Sequence, residues 1–225
     1  MNKSIKIFFL LAACLLLVAP AAIADIISVG DYIQLVGYNP LDSAGIMTYE
    51  VSHNKGGTIA FTFDTFCIQD NVYVYPGKWY PVASLSTEVG LFNSPPPAGA
   101  GLLSGAVDYL FYRYESGAYD TIMTSRADEA DFQKVLWSLQ GSGSSYSSTG
   151  YRWDTDLATY NSTPSMWHPW GTEVINIASS MDSNGKFYGP DTQNQLYNQV
   201  PEPSTMLLLS TGLVCLVGLR RRKKQ

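Results

Sequence analysis

The chain has 225 residues, of which 46% are apolar and 13% aromatic, enough for one domain with its own core. Charged residues reach only 15%, a balance that suits a strand-rich exported domain better than a helical intracellular enzyme. Once Lys3, Lys6 and five basic residues of the tail are set aside, seven of the 14 Lys and Arg face 19 Asp and Glu; the net charge near −12 excludes a basic nucleic-acid-binding surface.

Residues 1–24 read as a secretory signal peptide. Lys3 and Lys6 form the positive start, Ile7 to Ala19 is an unbroken apolar run, and Pro20 ends it. Ala22-Ile23-Ala24 then supplies a small-x-small cleavage site before Asp25. Leu11-Ala12-Ala13-Cys14 also has the form of a lipobox, but the apolar run continues well past Cys14. An uncleaved membrane anchor is the other alternative, and the Ala22/Ala24 site argues against it.

Residues 25–199 form the exported globular domain. Ile26–Tyr38, Gly45–Val51 and Thr58–Ile68 are rich in β-branched and aromatic residues with partial alternation, which predicts strands. Asn39-Pro40 and Asn54-Lys55-Gly56-Gly57 punctuate them. Val72–Tyr75 and Lys78–Val82 read as a hairpin around Pro76-Gly77, and Ser94-Pro95-Pro96-Pro97 opens a loop. Ser104 precedes a segment whose Ala106, Val107, Leu110, Phe111 and Tyr114 share one helical face. Ser125-Arg126-Ala127-Asp128 has the form of a capping box ahead of a stronger helix. Its buried stripe is Phe132, Val135, Leu136 and Leu139, and it stops at Gly141 before a Gly/Ser run. A third helix is predicted over Glu173–Met181. The expected fold is mainly β, an antiparallel sheet or sandwich with two or three packed helices, plus a C-terminal transmembrane helix.

Cysteine placement narrows the chemistry. Cys14 leaves with the signal peptide and Cys215 lies in the C-terminal apolar run, so Cys67 is the one thiol of the exported domain and no intramolecular disulfide can form. Such a cysteine is a small buried hydrophobe, a reactive nucleophile, or a redox or metal ligand. His53 and His168 are far apart and lack metal-site spacing, so no metal is expected. There is no Gly-x-Ser-x-Gly elbow, and no Gly-rich stretch carries the Lys-Ser/Thr needed for phosphate. Asp154/Asp156 and Glu115/Asp120 are carboxylate pairs of the kind a glycosidase uses, although an acidic domain offers such pairs as solvated loop residues too. Neither catalysis nor a cofactor is expected. Trp153, Trp167 and Trp170 with Tyr146, Tyr151 and Tyr160 are either core packing or a sugar-stacking patch, with packing favoured.

Residues 200–225 form a three-part tail. Val200-Pro201-Glu202-Pro203-Ser204 is held extended by its two prolines and stays accessible to a protease. The apolar run 205–219 gives ~22 Å of helix, short of a bilayer core, and Arg220, Arg221 and Arg222 with Lys223 and Lys224 can snorkel to cytoplasmic headgroups. This order resembles the PEP-CTERM sorting signal of Gram-negative bacteria. The resemblance implies an inner-membrane-anchored precursor, cut near Pro201-Glu202-Pro203 by an exosortase, and then placement at the cell surface or outside the cell.

A second resemblance falls inside the domain. Phe66-Cys67, together with Phe132-Gln133-Lys134-Val135-Leu136-Trp137, resembles the paired motifs of Cys–Gln thioester domains in bacterial surface adhesins. That likeness implies Cys67 as sulfur donor, Gln133 as acyl donor, and Trp137 as a shield against water. It implies a surface nucleophile as partner. The acidic surface separately suggests cation-bridged contact with anionic extracellular polysaccharide, and a secreted carbohydrate-binding or carbohydrate-active protein is the alternative reading.

Overall fold

Alternation of buried and open side chains builds the first three strands. In β2 (Met47–Ser52) the side chains of Met47, Tyr49 and Val51 turn inward, and β1 (Tyr32–Gly37) and β3 (Phe61–Thr65) flank it. The computed structural model describes residues 26–38, 44–70, 73–90, 99–142, 152–162, 171–188 and 193–198. The expected signal peptide with Ala22 and Ala24, the expected turn at Asn39-Pro40 and the expected loop over Ser94–Pro97 lie outside the described residues. So do Tyr146, Tyr151, Trp167, His168, Trp170 and the whole tail from Val200, including the span 205–219. Among the described residues, no helix is long and apolar enough to cross a membrane.

After β4 (Trp79–Ser86) come two short strands, β5 (Glu88–Val89) and β6 (Gly101–Leu102), then helices α1 (Gly105–Glu115), α2 (Arg126–Gln140) and α3 (Arg152–Ser162). The chain finishes with β7 (Thr172–Ile177), the small ribbon β8 (Ser180–Met181) and β9 (Phe187–Tyr188), and β10 (Gln195–Asn198). Six strands form one antiparallel sheet in the order β10-β7-β4-β1-β2-β3. The sheet curls until the chain just past β3 meets β10. There Leu196 N–H donates to Phe66 O at 3.1 Å and Ile68 N–H to Asn194 O at 3.0 Å. Of the two expected forms, sheet or sandwich, the strands take the antiparallel sheet, curled so that both edge strands are covered locally.

Two further expectations need correction. Glu173–Met181 is not a helix: β7 runs between β4 and β10, and Val174 to Ile177 are buried on both faces. Such a strand loses the period-two pattern, and its β-branched Val and Ile fit the pleated surface. The proposed hairpin around Pro76-Gly77 keeps its turn, with Lys78 N–H donating to Tyr75 O at 3.3 Å. Residues 73–75, however, form no strand, because β1 and β7 already occupy both sides of β4.

The helices pack on the sheet through one apolar cluster. α2 begins with a complete capping box: Ser125 Oγ accepts Asp128 N–H, and the Asp128 carboxylate accepts Ser125 N–H at 2.9 Å. It ends at Gly141, whose φ of 77° fits a left-handed cap. Ser104 occupies the cap position of α1 but makes no side-chain cap; its N–H donates to Gln140 Oε1 instead. Phe132, Val135 and Leu136 of α2 join Val107, Leu110 and Phe111 of α1 and Trp153 of α3 in this cluster. A second cluster fills the inside of the curl and contains Tyr49, Tyr80, Ile175, Cys67 and, from α2, Ala130 and Trp137. One helix thus serves both cores. Its Phe132 face lies on the helical side, and its Ala130–Trp137 face closes the mouth of the curl.

Candidate functional site

The site forms at the seam where the sheet meets itself. Cys67 pairs with Gln195 in an isolated antiparallel bridge. The hydrogen bonds on either side belong to Phe66 and Ile68, so the N–H and C=O of Cys67 itself point away from β10. Buried backbone groups left open in this way need partners. The Gln133 side chain, one face of α2 away, supplies them both: Cys67 N–H donates to Gln133 Oε1 at 3.1 Å, and Gln133 Nε2 donates to Cys67 O at 2.6 Å. The Cys67 thiol donates to the same Oε1, with Sγ 3.5 Å away. Cys67 and Gln133 are both completely buried. Residues 66 positions apart in sequence are therefore in direct contact, with the amide held in a fixed plane beside the sulfur.

Alternation along 66–68 places the neighbours. Phe66 and Ile68 enter the helical cluster, while Cys67 faces the inner one. Phe66 meets Phe132 edge-on at 5.1 Å between ring centroids, and this contact fixes α2 against the seam. Trp137, one turn beyond Gln133, lies in the inner cluster with Cys67. Burial pushes the Cys67 thiol far above its ordinary range; the nearby Trp137 indole pulls the other way without offsetting it. Tyr49 is also pushed up, by burial first and then by the proximity of Cys67 and Tyr80. No sequence pattern pointed to Gln195. It sits across the bridge from Cys67, and its Oε1 is buried without a hydrogen-bond partner among the described residues.

The other sequence candidates fall elsewhere. Asp156 is no solvated loop residue: it lies on α3, where Arg113 Nε donates to it at 3.1 Å and the Tyr119 hydroxyl at 2.9 Å, an α1–α3 clamp. Trp153 is fully buried, and Tyr160 stacks on Tyr109 at 5.6 Å, so both pack helices together. His53 Nδ1 lies 2.9 Å from Asp31 Oδ1 at an exposed position. Glu115 and Asp120 do come together, with Asp64, around a cavity of about 370 Å³ walled by Phe63, Tyr114 and Tyr197. Burial of the Glu115 carboxyl, ahead of repulsion from Asp64, pushes it up to about 7, although the residue as a whole is open to solvent. Asp64 is anchored by the Thr48 hydroxyl, which donates to it at 2.6 Å. Among the described residues, no group of three or more His, Cys, Asp or Glu is arranged to hold a metal ion.

Fold and site thus define a mainly β domain, one curled sheet carrying three helices, with a sealed Cys–Gln contact at the seam. Comparison with known families finds the PEP-CTERM protein-sorting motif at residues 199–223, spanning Pro201, Glu202 and Pro203 and most of the basic end with Arg220, Arg221 and Arg222. The motif is recognised by an exosortase, and it marks the chain as exported, first as a membrane-anchored precursor and then at the surface or outside the cell. No curated protein and no solved structure matches the chain.

Proposed function

We propose that the exported domain is a non-enzymatic surface or matrix protein that forms an internal thioester between Cys67 and Gln133 and uses it once, to attach covalently to a nucleophile on a neighbouring surface. The observation that supports this reading is the 3.5 Å approach of Sγ to Oε1, with the amide clamped at both ends by the Cys67 backbone. The sulfur adds to the Gln133 side-chain carbonyl carbon as the carbon–nitrogen bond breaks. The thiol proton goes to the departing nitrogen, which leaves as ammonia. Negative charge that develops on Oε1 meets the Cys67 N–H already aimed at it, the geometry of an oxyanion donor. An attacking amine later takes the acyl group and returns the sulfur as a thiol.

Intact mass spectrometry of the exported protein tests this directly. The reading requires a mass short by one ammonia, and then a gain of one whole methylamine as an amide at Gln133. A complete mass would reduce the amide to a structural partner of the open ladder at Cys67.

The carboxylate-edged cavity favours a second reading, carbohydrate binding. Phe63, Tyr114 and Tyr197 offer ring faces, and Asp64, Glu115 and Asp120 offer acceptors for sugar hydroxyls. Titration with oligosaccharides from the producing cell's own matrix, comparing native protein with Tyr114→Ala, tests it; equal binding by both removes the cavity from consideration.

A further inference from the structure

Trp137 carries a polar atom that packing does not explain. Its Nε1–H is buried and has no hydrogen-bond partner among the described residues, and the side chain is only 5% exposed. Native proteins leave few such donors unused, and a phenylalanine would fill apolar space without one. The position ties the atom to Cys67. Trp137 follows Gln133 by one turn of α2, shares the inner cluster with the sulfur, and sits near enough to favour charge on it. In the resting state, the neutral thiol directs its own proton to Gln133 Oε1 and offers a weak acceptor in return. The indole donor thus lies unpaired in the same cluster as an atom that does not yet need it.

We propose that the Trp137 indole N–H is a catalytic donor to the Cys67 sulfur, stabilising the negative charge that sulfur carries as the thioester forms and as it opens. The inference rests on the thioester reading of the same site. During formation, the S–H bond weakens as the S–C bond forms and the proton travels to the leaving nitrogen. During opening, the amine nitrogen bonds to the carbonyl carbon, the C–S bond breaks with its electron pair on sulfur, and sulfur then takes the proton the amine releases. Sulfur is briefly thiolate-like in both directions, inside an apolar cluster that opposes charge. A donor that is idle against the thiol and engaged against the thiolate acts only in the transition state, which is the condition for accelerating a reaction. Shielding from water needs the area of the ring; this role needs its N–H.

The two roles separate when Trp137 is replaced by benzothienylalanine, which keeps the ring shape and substitutes sulfur for the N–H. Trp137→Phe is the simpler companion. The rate of ammonia loss after folding and the rate of methylamine capture are followed by intact mass, alongside the melting temperature. Both rates are expected to fall roughly tenfold to a hundredfold in the isostere, the range for losing one charge-assisted hydrogen bond, with an unchanged melting temperature. In the methylamine-opened protein, alkylation of Cys67 should also require higher pH in the isostere. Rates and pH profile equal to those of the native protein overturn the proposal. A native protein that keeps its ammonia refutes the thioester itself, before any variant is compared, and this inference falls with it.

Discussion

Gln133→Glu separates the hydrogen bonding of the site from its reactivity. In the native protein, Nε2 donates to Cys67 O at 2.6 Å and Oε1 accepts Cys67 N–H at 3.1 Å. A protonated carboxyl keeps both roles; a carboxylate keeps only the acceptor and turns a second oxygen against the Cys67 carbonyl. Cys67 and Gln133 are both fully buried, so burial and this repulsion raise the folded pKa of the introduced carboxyl above its unfolded value of ~4.3. A raised folded pKa means that the folded state binds more protons. Stability is then fully present below ~4.3 and is lost as pH rises toward the folded pKa. Buried Glu residues reach a pKa of ~8 to 9, and the slope is ~1.36 kcal/mol per pH unit. Between pH ~5 and ~7 the variant should lose about 2.5 kcal/mol relative to native protein. Urea unfolding of both proteins at the two pH values measures it, provided the m-values agree. Parallel stabilities across that window would mean that the carboxyl reaches water and the clamp is not as described.

Other consequences are independent of that pair. Trp153→Ala should cost roughly 3–5 kcal/mol, because a fully buried ring between Tyr119 and Phe132 is removed; chemical denaturation reads it, and a loss below ~1 kcal/mol would contradict its place in the core. Glu115 has a folded pKa raised to about 7, so native stability falls as pH climbs from the unfolded carboxyl range to that value. Glu115→Gln removes this slope, and its melting temperature relative to native protein should rise over the same window; a shift in the opposite direction would contradict the burial of that carboxyl. Replacing Pro201, Glu202 and Pro203 together by alanine should leave the precursor at its unprocessed mass in cells that have the exosortase; normal processing would show that the enzyme reads something else.

The sequence disclosed whatever depends on local chemistry. The Ser125–Asp128 capping box and the Gly141 stop set the limits of α2 because each satisfies backbone groups within a few residues. β1 to β3 could be read from alternation because one of their faces is open. β7 could not: Val174 to Ile177 are buried on both faces, and a short, mostly apolar stretch without alternation fits either a buried strand or a helix. The aromatic residues of α3 read correctly as packing, but the helix itself was not predicted, although Trp153, Leu157 and Tyr160 keep helical spacing. Cys67 and Gln133 were legible as two motifs. Their contact depends on α2 lying across the seam, and the role of Gln195 depends on strand pairing between distant segments, which no local pattern encodes.

The seam connects fold with function. A thiol in an oxidising compartment survives if it seldom ionises, and burial holds Cys67 in that condition with no second cysteine in the exported domain to oxidise against. The same burial keeps water from the Gln133 carbonyl. On the thioester reading a covalent partner must nevertheless reach that carbonyl, so that reading requires the site to open somewhere. The ladder gives way most easily where pairing is thinnest. β1 and β2 are joined by a five-residue register, whereas the seam beside Cys67 is an isolated bridge with two backbone bonds, Phe66–Leu196 and Ile68–Asn194, supported by side-chain bonds from Thr65 to Leu196 O and between Gln69 and both Gln193 and Asn194. Local opening free energies follow the local density of such bonds. On that reading, a seam with one backbone bridge and a few side-chain bonds over the Cys67–Gln133 pair is tight enough to shield the group and has less backbone pairing to break than the β1–β2 ladder.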